Sequence, residues 1–362
     1  MSDVSIGYYA HHHGSGHVRR AVEIARYMTQ PLTIFSSTAL PEGEIANVTS
    51  CILPMDVDDG NGDGDGDTRR DIATVPSFHY APTGLFGIAE RMGVLAQWFH
   101  AQWPCLLVVD VSVEVALFAR LCSVPTIYLR QNGERGDLPH TLAYGGAEAL
   151  LAPFPDGLGL RDRHDPWAEK TVYTGFISRL SKAPFERSST SRSVLVLIGY
   201  GGSELTGAQV AAAAAATPAW QWTVLGPLAA EADVRPLDNL RFVGVVDAPH
   251  RYLDDATVVV GSAGDSVVAE MAFLRCRYIA VPAARPFNEQ TATACALARF
   301  GVAIACLRWP DAADWPDLLQ RALALDIGRW EALTEQDGAP TAARAIQHIA
   351  ERVGRQRARV DL

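Results

Sequence analysis

The chain is predicted to be α/β, with two domains whose parallel sheets face each other across a cleft. Short apolar runs alternate with helix-period patterns in both halves, which favours right-handed crossovers between parallel strands. The alternation breaks at 181–192, a polar, Ser-rich stretch containing Pro184, which reads as an interdomain linker. A length of 362 residues is long for one core and comfortable for two. The expected boundaries are 1–180 for the first domain and 193–339 for the second, with a last helix, 340–353, packing back on the first.

In chain order, Val4–Ala10 reads as a buried strand. Val18, Ala21, Val22, Ala25 and Met28 then recur at helical spacing, with Arg19, Glu23 and Arg26 largely off that face. Strands are expected at Leu32–Ser36, Leu106–Asp110, Thr126–Arg130 and Ala149–Ala152, with helices near Leu85–Gln102 and Val113–Cys122. The second series runs from the strand Val194–Ile198 through the Ala-rich helix Ala208–Ala216. Strands follow near Trp222–Leu225, Leu240–Val243, Val258–Val260 and Tyr278–Val281. In the last helix, Ala342, Ala345, Ile346, Ile349 and Val353 share one side.

Composition narrows the function. Hydrophobic residues make up 48% and charged ones 20%, as in a packed globular chain, and the net charge of −10 argues against a nucleic-acid partner. No apolar run is long enough to span a bilayer, and the N-terminus shows no secretory pattern. Cys51, Cys105, Cys122, Cys276, Cys295 and Cys306 are scattered without a C-x-x-C, which suits reduced thiols in a cytoplasm. The acidic run 56–71 imitates a calcium loop. However, registers starting at Asp59, Asn61 or Asp63 put Arg70, Ile72 or Thr74 where the bidentate Glu belongs, so it is expected to be a surface loop. Phe86, Met92, Trp98 and Phe99 at helical spacing are expected in a core rather than on a membrane or acceptor surface. The tail with Arg352, Arg355, Arg357 and Arg359 is expected to be solvated, with room for weak peripheral membrane contact.

The most informative stretch is Ala256–Gln290. A strand enters the turn Gly261–Ser266, which opens a helix; free N–H groups and a positive helix end at Gly264, Asp265 and Ser266 suit a phosphate. Glu270 lies about a turn further on, placed to accept hydrogen bonds from ribose hydroxyls. Glu289 and Gln290 open another helix with groups suited to a sugar.

Between the first strand and first helix stands His11-His12-His13-Gly14-Ser15-Gly16-His17. Gly14 and Gly16 permit a sharp turn, and His17 at the helix start is a candidate general base for a hydroxyl attacking a sugar C1. The alternative is a His that only caps the helix or positions the acceptor. Alternating strand faces keep His11, His12 and His13 from converging on one ion, so one of them is expected to line the cleft and no metal site is expected. Asp110 ends a strand and is a candidate for orienting the base; a helix cap for the segment starting at Ser112 is an equal alternative. The polar loop Arg130–Asp137 is expected to face the acceptor. In Gly199–Glu204, the paired glycines Gly201 and Gly202 let the backbone approach a ligand.

Taken together, these loops resemble the GT-B glycosyltransferases, nearest the MurG-type N-acetylglucosaminyltransferases, the UDP-glycosyltransferases and the antibiotic glycosyltransferases. Gly264, Glu270, Pro282, Glu289 and Gln290 fall in the family's order. The family's phosphate-binding His is replaced by Ser262, and its Gly-x-Pro by Arg275–Arg277. The resemblance implies two Rossmann-like domains, a UDP- or dTDP-linked sugar donor, an unidentified acceptor, inversion without a metal or other cofactor, and a role in the bacterial envelope or natural-product glycosylation. It adds Ser203 as a diphosphate or sugar contact and Val246, in Val243–Asp247, as a main-chain reader of the base. A UDP-sugar hydrolase of pseudaminic acid synthesis shares the Gly14–Val18 and Gly201–Ser203 patterns, with His17 then activating water. Nucleotide-sugar 2-epimerases also use this fold, though no residue set favours them. The departures at Ser262 and Arg275–Arg277 also leave a catalytically inactive binding protein as a rival.

Overall fold

The structure, a computed structural model, describes residues 4–12, 16–41, 47–56, 75–158, 165–180, 191–199, 204–228, 236–246 and 248–358. Its first half runs β1 (Ser5–Ala10), α1 (Gly16–Ala25), β2 (Leu32–Ser36), β3 (Val48–Ile52), α2 (Phe86–Ala101), β4 (Cys105–Asp110), α3 (Val113–Leu121), β5 (Thr126–Leu129), α4 (Leu138–Gly146), β6 (Ala149–Ala152) and β7 (Thr171–Tyr173). The second runs β8 (Ser193–Leu197), α5 (Gly207–Ala216), β9 (Gln221–Leu225), β10 (Leu240–Gly244), α6 (His250–Asp255), β11 (Val258–Gly261), α7 (Asp265–Phe273), β12 (Tyr278–Ala280), α8 (Glu289–Arg299), β13 (Ala303–Ala305), α9 (Trp315–Leu323), α10 (Trp330–Leu333) and α11 (Gly338–Ala358).

Each half builds one parallel sheet, ordered β3-β2-β1-β4-β5-β6-β7 in the first and β10-β9-β8-β11-β12-β13 in the second. The apolar runs become strands because helices cover both faces of each sheet, so continuous Val, Ile and Leu stretches bury every side chain. Strand order reverses between β1 and β4, and again between β8 and β11. In open α/β sheets a crevice opens at such reversals, beyond the carboxyl ends of the strands. The register pairs Ala10 with Asp110, so the loop after β1 and the last residue of β4 share that crevice.

α11 does not stay with the second sheet. Ala342, Ile346, Ile349 and Val353 join Val22 and Ile24 of α1 in the first domain's core. In return, Phe154 and Phe176 join the core formed by Met271, Tyr278 and Leu297. Of the aromatic set on α2, Phe99 is buried and Met92 and Trp98 pack on the core, while Phe86 is exposed. At the C-terminal end, Arg352 pairs with Glu148 at 3.5 Å and Arg355 with Glu351 at 3.8 Å. Among the described residues no helix is long and apolar enough to cross a membrane.

Candidate functional site

Asp110 ends β4 fully buried, and its oxygens are taken by three side chains. His17 Nδ1 lies 2.9 Å from Oδ1, Tyr8 Oη donates to Oδ2 at 2.9 Å, and Arg20 Nη1 donates to both at 3.0 and 3.2 Å. Burial opposes its ionisation, but the Arg20 charge, with His17 and the hydrogen bonds from His17 and Tyr8, holds the carboxyl below its usual range. An ionised Asp110 can only accept, so His17 carries its proton on Nδ1 and keeps Nε2 as the basic nitrogen. Ser112 caps α3 through the Val115 N–H at 3.2 Å, so Asp110 is not the cap. Between them Val111 sits at φ 66, a strained angle for a β-branched residue that turns the chain away directly behind the carboxylate.

The other side of the cleft arrives from the second sheet. A cavity of about 250 Å³ is lined by His17 together with Val246, Gly264, Asp265, Ser266, Glu270, Glu289 and Gln290, and by Arg19, Arg20 and Arg285. It shares Gly16, Arg20, Asp265, Ser266 and Glu270 with a neighbouring cavity of about 660 Å³. α1 and α7 meet start to start: a Cβ on Gly16 would stand 3.2 Å from Ser266 Oγ, a tight contact that the serine side chain would have to yield by a few tenths of an ångström. Three side chains have partners within the protein. The Asp265 carboxylate is held by Arg20 Nη2 at 2.6 Å, and its backbone N–H is the group expected to suit an anion. Gln290 Oε1 accepts from the N–H groups of Ala263 (3.2 Å) and Ala283 (2.9 Å), pinning two donor loops together and leaving Nε2 for a ligand. Glu270 lies 3.6 Å from Arg179; burial raises its pKa despite that partner.

The loop Arg130–Asp137 docks on the chain leading into α8. The Glu134 N–H donates to Phe287 O at 2.8 Å, and Asn132 Nδ2 donates to Thr293 Oγ1 at 3.2 Å. Phe287 and Asn288, at φ 60 and 53, turn Glu289 into the cleft, where Arg135 Nη2 meets it at 3.0 Å. Burial and the charge of Asp265 push the Glu289 carboxyl up to about 7 against Arg135, His17 and Arg20. Arg135 also lies 4.6 Å over the Phe287 ring and donates from Nη1 to His140 Nε2 at 3.2 Å. His140 Nδ1 therefore donates to Asp137, whose other oxygen pairs with His79 Nε2 at 2.5 Å. Burial, with Arg135 adding to it, holds His140 down to about 4, so the ring is neutral near pH 7.

His79, Asp137 and His140 thus converge, as do His11, His12 and Asp56. The latter corrects the expected divergence of the histidines: β1 ends at Ala10, so strand alternation no longer separates His11 from His12, whose rings stack at 4.6 Å. Each group has a guanidinium in contact, Arg91 at 2.9 Å from Asp56 and Arg135 on His140, a fixed positive charge that opposes a cation. His13, Gly14, Gly201, Gly202, Ser203 and Asp247, the acidic run beyond Asp56 and most of the linker lie outside the described residues. Tyr8, Arg20, Arg135 and Arg179 are site residues that the sequence does not announce. Arg20 alone leaves a signal, standing three residues after His17 on the same helix face.

No protein-family model matches the chain, and no curated protein matches it in sequence. Solved structures do. It is similar to the spinosyn rhamnosyltransferase SpnG, with 17% identity and a TM-score of 0.67 over 95% of this chain and 100% of that one. It is also similar to Acinetobacter baumannii MurG, with 17% identity and a TM-score of 0.55 over 98% and 100% of the two chains. A third likeness is to TcCGT1 in complex with UDP, with 11% identity and a TM-score of 0.65 over 97% and 100%. The chain has the GT-B fold.

Proposed function

We propose that this chain transfers a sugar from a nucleotide-sugar, UDP- or dTDP-linked, to an acceptor hydroxyl with inversion at C1. The observation that carries this reading is the His17–Asp110 pair, 2.9 Å apart, at a cavity also lined by Gly264, Ser266, Glu270, Glu289 and Gln290. The acceptor oxygen attacks C1 and gives its proton to His17 Nε2. The bond from C1 to the diphosphate breaks, and its electron pair leaves with the nucleoside diphosphate. The N–H groups at the start of α7, with Arg19 and Arg285 nearby, receive that charge without a metal. Glu270 takes the ribose hydroxyls by turning from Arg179. Glu289 and the Gln290 amide nitrogen take the sugar, and the backbone at Val246 takes the base. The GT-B neighbours solved with UDP and with thymidine diphosphate support the nucleotide classes.

The cavity of about 250 Å³ adjoins the one of about 660 Å³ with which it shares lining residues, and together they offer the room a nucleotide-sugar needs; the domains close about the linker when the donor binds. The test is product analysis with labelled UDP- and dTDP-sugars, with and without a panel of acceptor alcohols, beside His17→Ala. Transfer of label to an acceptor, lost in the variant, is the expected result. Free sugar formed equally with and without acceptor would replace transfer by hydrolysis. No turnover of any donor would refute both.

A further inference from the structure

We propose that Arg20 is a positioning residue that makes the His17–Asp110 pair depend on closure of the two domains; the proposal rests on the reading above. Arg20 is buried on α1 and holds two carboxylates at once. Nη1 contacts both oxygens of Asp110, at 3.0 and 3.2 Å, within its own domain. Nη2 contacts Asp265 Oδ2 at 2.6 Å, on the first residue of α7, across the cleft and 245 positions along the chain.

A guanidinium is a rigid planar fork, so its two ends cannot be steered separately. Movement of Asp265 therefore turns the same plane that fixes Asp110, and Asp110 in turn orients the His17 ring. The two carboxylates on either side outweigh burial and keep Arg20 firmly charged. When the domains part, Nη2 loses Asp265, and Asp110 faces a guanidinium anchored at one end. Closure on a donor restores the second anchor and sets the base. The charged and titratable groups around His17 fit this arrangement: Asp110 on β4, Arg20 on its own helix, Glu289 from α8, and His11 with its ring 6.1 Å away. None of them duplicates the link to α7 that Arg20 makes.

The test is a cycle of Arg20→Gln, Asp265→Asn and the double variant, with Arg20→Lys, read by steady-state kinetics on the best nucleotide-sugar donor and by thermal unfolding. Asp265→Asn is expected to lower kcat, because closure no longer sets the base, and to raise the donor KM about tenfold, the scale of one charge-assisted hydrogen bond. Arg20→Gln should raise it similarly and also lower kcat about a hundredfold, as misplacement of a reacting group does. In the double variant the KM effects should not multiply. Arg20→Lys, with one ammonium for two carboxylates, should recover part of kcat and none of KM. Wild-type kcat in Arg20→Gln, or KM effects that multiply, would overturn the proposal. If Arg20→Gln does not fold, Arg20→Lys and Asp265→Asn decide it: a lysine variant equal to wild type in both constants overturns it. Unfolding midpoints need no turnover, and strictly additive shifts across the cycle would show that the bridge does not form. A wild-type protein that consumes no donor would instead defeat the functional reading itself, whatever the unfolding cycle gives.

Discussion

Replacing Asp110 by Asn tests the centre of the site in two independent ways. Asn keeps the shape but substitutes an NH₂ donor for an acceptor oxygen. Asp110 receives Tyr8 and His17 at 2.9 Å and Arg20 at 3.0 Å, so one of these donors must face another donor. Removing one partner of a buried pair costs about 3–5 kcal/mol, because Arg20 remains charged with only Asp265 to answer it. If the amide nitrogen turns to His17, the imidazole proton moves to Nε2, which can then no longer act as the proposed base, a change on the order of 10³–10⁴ in kcat. The stability loss depends on pH. The Asp110 carboxyl is held below its ordinary value, so its contribution is fully present above that value and lost as pH falls through the depressed one. Urea titrations at pH 7 and at progressively lower pH should show wild type and variant far apart at neutrality and converging below about pH 4. A gap unchanged over that range, or a kcat within threefold of wild type, would refute the reasoning.

Glu289 has the opposite sign. Its carboxyl is raised to about 7, so its contribution is fully present below about 4.5 and lost as pH rises through 7. Glu289→Gln should therefore gain up to about 3 kcal/mol on wild type between pH 5 and pH 8, and unfolding midpoints with the same offset at both pH values would contradict this. Gly133→Ala would put a Cβ 2.3 Å from Phe287 O at φ +99, loosening the clamp that presents Glu289, at a cost of about 1–3 kcal/mol by thermal unfolding; a neutral substitution would mean the clamp is not formed. Gln290→Ala leaves the buried N–H of Ala263 without its acceptor, about 1–3 kcal/mol, and frees the half-buried N–H of Ala283 at smaller cost, and an unchanged melting temperature would remove Gln290 from its pinning role.

Most strands legible in the sequence are buried on both faces, although β10, expected near Leu240–Val243, has Arg241 and Phe242 exposed. Leu32–Ser36 and Ala149–Ala152 match their expected bounds, and Val258–Val260 is one residue short. The strands that the sequence hides are short or lie at edges. β3 has three exposed and two half-buried residues without a two-residue alternation at one margin of its sheet, while β7 and β13 are three residues each, too short for a periodic pattern. α4 is not among the expected helices: it follows directly on the polar loop, and its buried face, Pro139, His140, Ala143 and Tyr144, is short and interrupted by a polar residue. The first helix stops at Ala25 although Met28 continues its apolar spacing, because Met28 is buried from the turn that follows.

The site divides along the same physical line. His17, Asp110, Gly264 and Glu270 could be found because each is set by its own strand–turn–helix unit, and that local geometry is written in neighbouring residues. Arg20–Asp265 and Arg135–Glu289 join residues 245 and 154 positions apart, and nothing local to either end specifies the other. Yet these pairs decide what the local motifs can do. The cleft has its carboxylates already answered, Asp265 by Arg20 and Glu289 by Arg135, so a donor's negative charge falls to Arg19, Arg285 and the α7 N–H groups, or else competes for cations already in use. Donor affinity is then a difference between two sets of ion pairs, not a sum of contacts read from one loop. Asp265→Asn frees Arg20 but also removes the second anchor of its guanidinium, and the expected rise in donor KM means that the lost alignment outweighs the released cation. Measuring binding and turnover separately keeps those two effects from being mistaken for one.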